Sequence, residues 1–104
     1  MSRPTASNFS KALRLCRKAK GLTQEDFDDV SSRVYVSALE RGAKQPTLPK
    51  VDALALKLGL HPLTLLALSY AKSLDKEDLQ KLFQIVQRDY DTLALLKTST
   101  DRES

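Results

Sequence analysis

The feature that most constrains the fold is the combination of helical apolar spacing with glycine stops. The chain contains three glycines, Gly21, Gly42 and Gly59. Each follows a segment in which apolar residues recur every three or four positions. Glycine ends a helix readily because it adopts the left-handed backbone conformation without strain. No segment alternates between apolar and polar residues with a period of two. We therefore predict an all-α fold without a sheet.

Caps and prolines divide residues 8–71 into five predicted helices. Serine, threonine and asparagine before a helix accept a hydrogen bond from a backbone N–H group that the first turn leaves unpaired. Thr23 has Asp26 three residues later, which is the spacing of a capping box. The predicted helices run from an Asn8 or Ser7 cap to Gly21, from 24 to about 30, from Ser31 or Ser32 to Arg41, from a Thr47 cap to Gly59, and from Pro62 to about 71.

A sixth and longer helix is predicted over residues 75–97. Its apolar residues fall on one stripe, which extends over roughly 34 Å at a rise of 1.5 Å per residue. The five-helix domain cannot cover such a stripe by itself, whereas a second copy of the same helix can. The stripe consists of Leu79, Leu82, Phe83, Val86, Tyr90 and Leu93.

The predicted organisation is therefore a domain followed by an oligomerisation helix. Further apolar residues beside the stripe, Ile85, Leu95 and Leu96, leave a dimer of dimers open alongside a homodimer. The regions are a flexible arm at 1–7, the five-helix domain at 8–71, the oligomerisation helix at 75–97 and a disordered tail at 98–104.

The positive charge of the chain is concentrated in its first half. Residues 1–50 contain ten Lys or Arg and five Asp or Glu, whereas residues 51–104 contain seven and eight. A polyanion favours clustered bases because their binding releases its counterions. A solvated helix face is the other interpretation, and charge alone leaves both open. The basic run consists of Lys11, Arg14, Arg17, Lys18 and Lys20.

The third predicted helix has an unusual outer face. At 100° per residue, Val36 and Leu39 point towards the core. The opposite face carries small and apolar residues rather than the Lys and Glu of a purely solvated helix. Such a face suits the major groove, where apolar groups meet thymine methyls and Arg33 reaches guanine O6 and N7. The alternative is a short connecting helix whose surface residues have no particular function. The outer face consists of Val34, Ser37, Ala38 and Arg41, flanked by Arg33 and Tyr35.

The segment LTQEDFDDVSSRVYVSALERG, residues 22–42, resembles the helix-turn-helix of lambda-repressor-like proteins, the Cro/repressor or XRE-type family. The resemblance covers residues 9–66 and is most specific at LTQ (22–24) and SRVYVSALERG (32–42). It implies a fold of five short helices in which the second and third read DNA. Between Phe27 and Tyr35 the chain is shorter than the usual family pattern and lacks the customary glycine. We therefore expect a tighter or differently capped turn there.

The resemblance also implies which side chains meet DNA. Residues at the start and outer side of the third helix match positions that face base edges, and Ser37 on the same face joins them. Residues that flank this helix match contacts to the phosphate backbone. The implied base contacts are Arg33, Val34, Tyr35, Ser37 and Ala38; the implied phosphate contacts are Arg17, Thr23, Gln24, Ser32, Arg41 and Lys44; and a structural salt bridge joins Arg17 to Glu40.

Other classes of function are not expected from this sequence. One cysteine and one histidine cannot assemble an ordinary structural zinc site, and neither has the partners of a catalytic site. We predict no metal, no cofactor and no enzymatic activity. Cys16 is interpreted as an inert apolar residue, with a redox switch as the alternative. No apolar run is long enough to span a bilayer, and no signal peptide is evident, so a cytoplasmic protein without membrane contact is expected.

The sequence predicts a transcriptional regulator of double-stranded DNA, with repression at a palindromic or pseudo-palindromic operator as the default. Glu25 and Asp29 match acidic positions that some family members present to RNA polymerase, so activation stays open. The other interpretation is that these acids stabilise the start of a helix through its dipole. Two different functions also stay open. One is an antitoxin whose last helix covers a toxin, and the other is a protein-interaction module that has lost DNA binding.

Overall fold

The computed structural model describes residues 6–71, 73 and 75–101, and it describes the side chains of 8–71, 73 and 75–97. All regular structure in these ranges is helical, which confirms the predicted all-α class. The chain consists of two compact units, Met1–Tyr70 and Ala71–Ser104. The elements are α1 (Ala6–Ala19), the 3₁₀ helix η1 (Gln24–Phe27), α2 (Arg33–Glu40), α3 (Leu48–Leu58), α4 (Pro62–Tyr70) and α5 (Lys76–Asp101).

The first helix begins earlier than the sequence indicated. α1 already includes Ser7 and Asn8, so neither residue is its cap and the predicted start is wrong. Polar residues are tolerated inside a first turn because its N–H groups have no intrahelical partner, so their presence does not fix the boundary. Of the predicted arm, Ala6 and Ser7 are helical and residues 1–5 lie outside the described residues.

The three glycines end α1, α2 and α3 in the same way. Each has a positive φ, between 71° and 76°. After α1, the N–H group of Gly21 donates to Lys18 O at 3.0 Å and that of Leu22 to Arg17 O at 3.0 Å. This pair of bonds is a Schellman motif, and the same pattern follows α2 and α3. The glycine stops predicted from the sequence are therefore present in the structure.

The second predicted helix is much shorter than expected. Only η1 is helical, and a hydrogen-bonded turn follows it, in which the N–H groups of Val30 and Ser31 both donate to Phe27 O at 2.9 and 2.8 Å. Phe27 is fully buried and anchors this turn to the core. Among the described residues, only the three helix-ending glycines have positive φ. The turn that was expected to be tighter or differently capped contains no residue with positive φ, which explains why the customary glycine is not needed.

Hydroxyl caps start the next elements at the predicted positions. Thr23 forms the predicted capping box of η1 with Asp26. Ser32 Oγ accepts from Tyr35 N at 3.1 Å and starts α2, while Thr47 Oγ1 accepts from Lys50 N at 3.3 Å and starts α3. Loss of one such cap typically destabilises a protein by about 1 kcal/mol. The positions of α2 and α3 are thus fixed by local chemistry.

The core of the first unit lies between α1, α2, α3 and α4. α1 packs against α2 and α4, α3 packs against α4, and η1 packs against α2. Burial of an apolar side chain of this size contributes roughly 1.5–3 kcal/mol, so these contacts outweigh the weak helix propensity of short segments. The core residues with no exposed surface include Leu13, Phe27, Val36, Leu39, Leu54 and Leu65.

The last helix is longer than predicted and its apolar stripe is largely exposed. α5 continues to Asp101, so residues 98–101 are helical rather than part of a disordered tail. Residues 102–104 lie outside the described residues. Leu79 and Leu82 are half-buried. The remaining stripe residues, Phe83, Val86, Tyr90 and Leu93, are between 50% and 63% exposed.

Within the described residues, no single helix is long and apolar enough to cross a membrane. α3 and α4 meet the length and hydropathy requirement only when taken together, and they are bent by 108° relative to each other.

Candidate nucleic-acid interface

The start of α2 is exposed to solvent. Val36 and Leu39 on its inner side are fully buried, as predicted. Val34 is 78% exposed although its side chain is apolar, and Arg33 is exposed beside it. The N-terminal end of α2 therefore presents one cationic and one apolar side chain on a helix fixed by its Ser32 cap.

The exposed guanidinium of Arg33 has a carboxylate partner. Its Nη1 donates to Glu25 Oε1 at 2.9 Å, and both side chains remain about two-thirds exposed, at 65% and 64%. Glu25 lies on η1, so the pair connects η1 to the first residue of α2. The sequence did not reveal this contact, because it depends on the short turn that brings these positions together.

Arg17 forms a hydrogen-bond network that connects α1 with η1 and α2. Its Nε and Nη2 donate to the two carboxylate oxygens of Glu40, at 2.6 and 2.9 Å, and its Nη1 donates to Leu22 O at 2.9 Å. Gln24 Nε2 donates to Glu40 Oε1 at 3.1 Å. The implied salt bridge between Arg17 and Glu40 is thus present. The hydrogen bonds that Arg17 donates to Glu40 raise the pKa of Arg17 above its ordinary value, so the guanidinium stays charged.

Two lysines approach the ring of Tyr35 on α2. Lys44 Nζ is 5.8 Å and Lys50 Nζ is 5.3 Å from the centre of its ring, which are cation–π distances. Lys50 Nζ also donates to Val30 O at 3.1 Å, in the turn before α2. Tyr35 is half-buried and packs against the core. Sequence reasoning missed Lys50, because no local pattern signals a contact across 20 positions.

The other implied phosphate contacts surround α2. Thr23 and Ser32 use their side-chain oxygens as caps and are exposed. Arg41 follows the last turn of α2 and is exposed, as is Lys44 in the loop. The basic run on α1 divides in two: Arg17 turns into the network with Glu40, while Lys11, Arg14, Lys18 and Lys20 are exposed.

The segment with this geometry matches known proteins. A protein-family model with the description "Helix-turn-helix" matches residues 13–65 of this chain. A protein of Sinorhizobium fredii named "Uncharacterized HTH-type transcriptional regulator y4dJ" is 40% identical to this chain over 62 residues, which is 58% of this chain and 75% of that protein. The chain belongs to the XRE-type helix-turn-helix family. This helix-turn-helix protein is a DNA-binding transcription regulator, and its family points away from enzymatic activity. No solved structure matches it significantly.

One implied base contact of this helix-turn-helix protein is not on its surface. Ala38 is only 6% exposed, so the prediction that it lies on the outer face of α2 is wrong. A single methyl group lies close to the helix axis, and longer neighbouring side chains cover it readily. Ser37 and Tyr35 are half-buried, and Val34 and Arg33 are exposed. The accessible part of α2 is therefore its N-terminal end.

Proposed function

We propose that this helix-turn-helix protein is a repressor that binds a palindromic or pseudo-palindromic operator as a homodimer, with α2 in the major groove. The observation that carries the proposal is the exposed N-terminal end of α2, where Arg33 and Val34 stand outside a helix whose inner side is fully buried. In this docking geometry the first residues of the recognition helix contact base edges.

The proposed base contacts are assigned from the exposure of the side chains on α2. Arg33 donates to O6 and N7 of a guanine, and Val34 contacts a thymine methyl. Ser37 contributes a hydroxyl from the next turn of the same face, and Tyr35 contributes the accessible part of its ring. Ala38 is omitted because its methyl group is covered.

The proposed phosphate contacts flank α2 on both sides. Thr23, Ser32, Arg41 and Lys44 are exposed, and they carry N–H or O–H groups of the kind that phosphates accept. Gln24 donates one amide N–H to Glu40, and its second N–H is the group for a phosphate. Arg17 is 12% exposed and acts mainly by holding α1 against α2.

The proposed dimer contact is α5. Leu79, Phe83, Val86, Tyr90 and Leu93 are separated by four, three, four and three residues, which is the alternation of a heptad seam. The natural partner of a heptad seam is another helix with the same spacing, and a second copy of this chain provides one. A two-fold dimer also matches the two half-sites of a palindrome, which lie about 34 Å apart.

Repression by occlusion needs only DNA binding, whereas activation needs free surface on the acidic segment. Glu25 pairs with Arg33, and Asp29 pairs with Lys57 at 3.3 Å. These pairs give both acids a local partner, and repression is proposed because DNA binding alone is sufficient for it. Because its ligand is double-stranded DNA, the proposed location is the cytoplasm.

The proposal is tested by selecting bound duplexes from a random pool and then measuring affinity for the selected sequence. We expect a site with two related halves and a binding constant whose logarithm falls linearly with the logarithm of salt concentration. Arg33→Ala should reduce discrimination at one or two base pairs by roughly 1–3 kcal/mol. Lys44→Ala is the matched control and should weaken binding evenly across sequences.

The outcomes separate the competing functions. A pool without enrichment, or binding that does not respond to salt, would contradict the proposal and favour a protein-interaction module. Uniform weakening by Arg33→Ala would make Arg33 a phosphate contact. The mass of the purified complex distinguishes a homodimer on α5 from an antitoxin whose α5 covers a different protein.

A further inference from the structure

We infer that Glu25 is a positioning residue for DNA reading: its carboxylate holds the Arg33 guanidinium so that Arg33 prefers a base edge to the phosphate backbone. The inference rests on the proposed function, in which Arg33 contacts a base pair. It adds a specificity determinant that lies on η1 rather than on the recognition helix.

The geometry leaves the reading edge of Arg33 accessible. Glu25 Oε1 accepts from Nη1 at 2.9 Å. The opposite edge of a guanidinium, formed by Nε and Nη2, carries two parallel N–H groups in the fork that matches guanine O6 and N7. Arg33 is thus able to bind Glu25 with one edge and a guanine with the other.

Both ends of this ion pair start from fixed backbone. Glu25 lies within the Thr23–Asp26 capping box, and its own carbonyl accepts from Asp28 N at 3.0 Å. Arg33 directly follows the Ser32 cap, whose Oγ accepts from Tyr35 N at 3.1 Å. The side chains of Glu25 and Arg33 therefore meet from backbone positions that are held in place. This limits the directions that the Arg33 side chain takes.

The exposure of the pair indicates what it does. An exposed ion pair contributes little to folding stability, and these side chains are 65% and 64% exposed. Near DNA, however, a carboxylate repels phosphates and offsets the attraction that would draw a lone arginine to the backbone. A guanine edge presents neutral acceptors and is not penalised in this way. Glu25 therefore lowers non-specific affinity more than specific affinity.

The experiment compares Glu25→Gln with Asp28→Asn in the full chain. Each removes one negative charge from the same segment, but Asp28 takes part in none of the ion pairs formed by the described residues. Dissociation constants are measured for the selected operator, for the operator changed at the Arg33 base pair, and for a random duplex, at several salt concentrations. Thermal unfolding of each variant checks the fold.

For Glu25→Gln we expect a loss of discrimination at the Arg33 base pair of about threefold to tenfold, part of the full value of a bidentate contact. We also expect this variant to bind the random duplex more tightly than the wild type does, with an affinity that depends more steeply on salt concentration. Asp28→Asn should leave the discrimination unchanged. In an Arg33→Ala background, Glu25→Gln should no longer alter discrimination.

Three results would overturn the inference while leaving the proposed function intact. Equal discrimination in Glu25→Gln and wild type would show that Glu25 does not guide Arg33. Equal losses of discrimination in Glu25→Gln and Asp28→Asn would show that the effect comes from the change in net charge alone. A loss that persists in the Arg33→Ala background would assign it to another contact. If the wild type itself shows no sequence preference, the proposed function fails and the inference fails with it.

Discussion

Arg17 and Glu40 lie 23 positions apart and meet edge to edge, with Arg17 Nε 2.6 Å from Glu40 Oε2 and Nη2 2.9 Å from Oε1. The two side chains are only 12% and 5% exposed. Because Arg17 belongs to α1 and Glu40 is the last residue of α2, this pair fixes the end of α2 to the core. Gln24 joins the same carboxylate and brings η1 into the arrangement.

Arg17→Ala should lower the free energy of unfolding by about 3 kcal/mol, because it leaves the largely buried Glu40 carboxylate without its cationic partner. Urea denaturation measures this change. Arg14→Ala, at an exposed position of the same helix, is the control and should change stability by less than about 0.5 kcal/mol. A small and equal effect in both variants would show that the pair does not hold α1 to α2.

Asp26 should make stability depend on pH in the acid range. Hydrogen bonds from the backbone N–H group and side chain of Thr23 hold the pKa of Asp26 below its usual value. A carboxyl group whose pKa is lower in the folded state than in the unfolded state stabilises the folded state at pH values above the unfolded pKa. For Asp this unfolded pKa is about 4. This contribution is lost as pH falls through the folded pKa.

Asp26→Asn tests this expectation through unfolding measurements between about pH 6 and pH 2, the range that spans an ordinary and a lowered Asp pKa. The wild type should be more stable than the variant at the upper end, and the difference should shrink on acidification. Thr23→Ser keeps the hydroxyl and the backbone N–H group, so it should retain the wild-type pH dependence. Parallel curves for wild type and Asp26→Asn would contradict the assignment.

Cys16 should react slowly with thiol reagents in the folded protein. It is buried, and this burial raises the pKa of its thiol despite the opposing charge of Lys20. The thiolate is the reactive form, so both access and ionisation are reduced. A disulfide reagent at mildly alkaline pH should label the native protein slowly and the urea-denatured protein fast. Fast labelling of the native protein would favour the redox-switch alternative.

Much of the fold was predictable because its boundaries are set by local chemistry. The caps Thr23, Ser32 and Thr47 and the glycine stops act within a few residues of themselves, so the sequence displays them directly. The start of α1 was not predictable in this way, since Asn8 fits a cap and a first turn equally well. The shortening of η1 was anticipated only as a tighter or differently capped turn, because the burial of Phe27 that fixes it is a tertiary contact.

The candidate site was predictable at the level of the helix but not of each side chain. Helical spacing correctly separated the buried Val36 from the exposed Val34. It failed for Ala38, because spacing gives a direction and not the coverage by neighbouring side chains. The contacts of Arg33 with Glu25 and of Lys50 with Tyr35 depend on the path of a turn and a loop, which periodicity does not describe.

Val86→Glu should shift the assembly towards monomer if α5 is the interface between two copies. Val86 lies in the middle of the apolar stripe and is 58% exposed within one chain, so a charge there would be buried against the partner helix. Gln84→Glu adds the same charge on the opposite side of α5, at an exposed position, and should leave the assembly unchanged. Sedimentation measures the mass, and helical content by circular dichroism checks the fold. Operator affinity should fall with the dimer, because two linked half-sites bind more tightly than one. An unchanged mass for Val86→Glu would show that α5 does not join the copies.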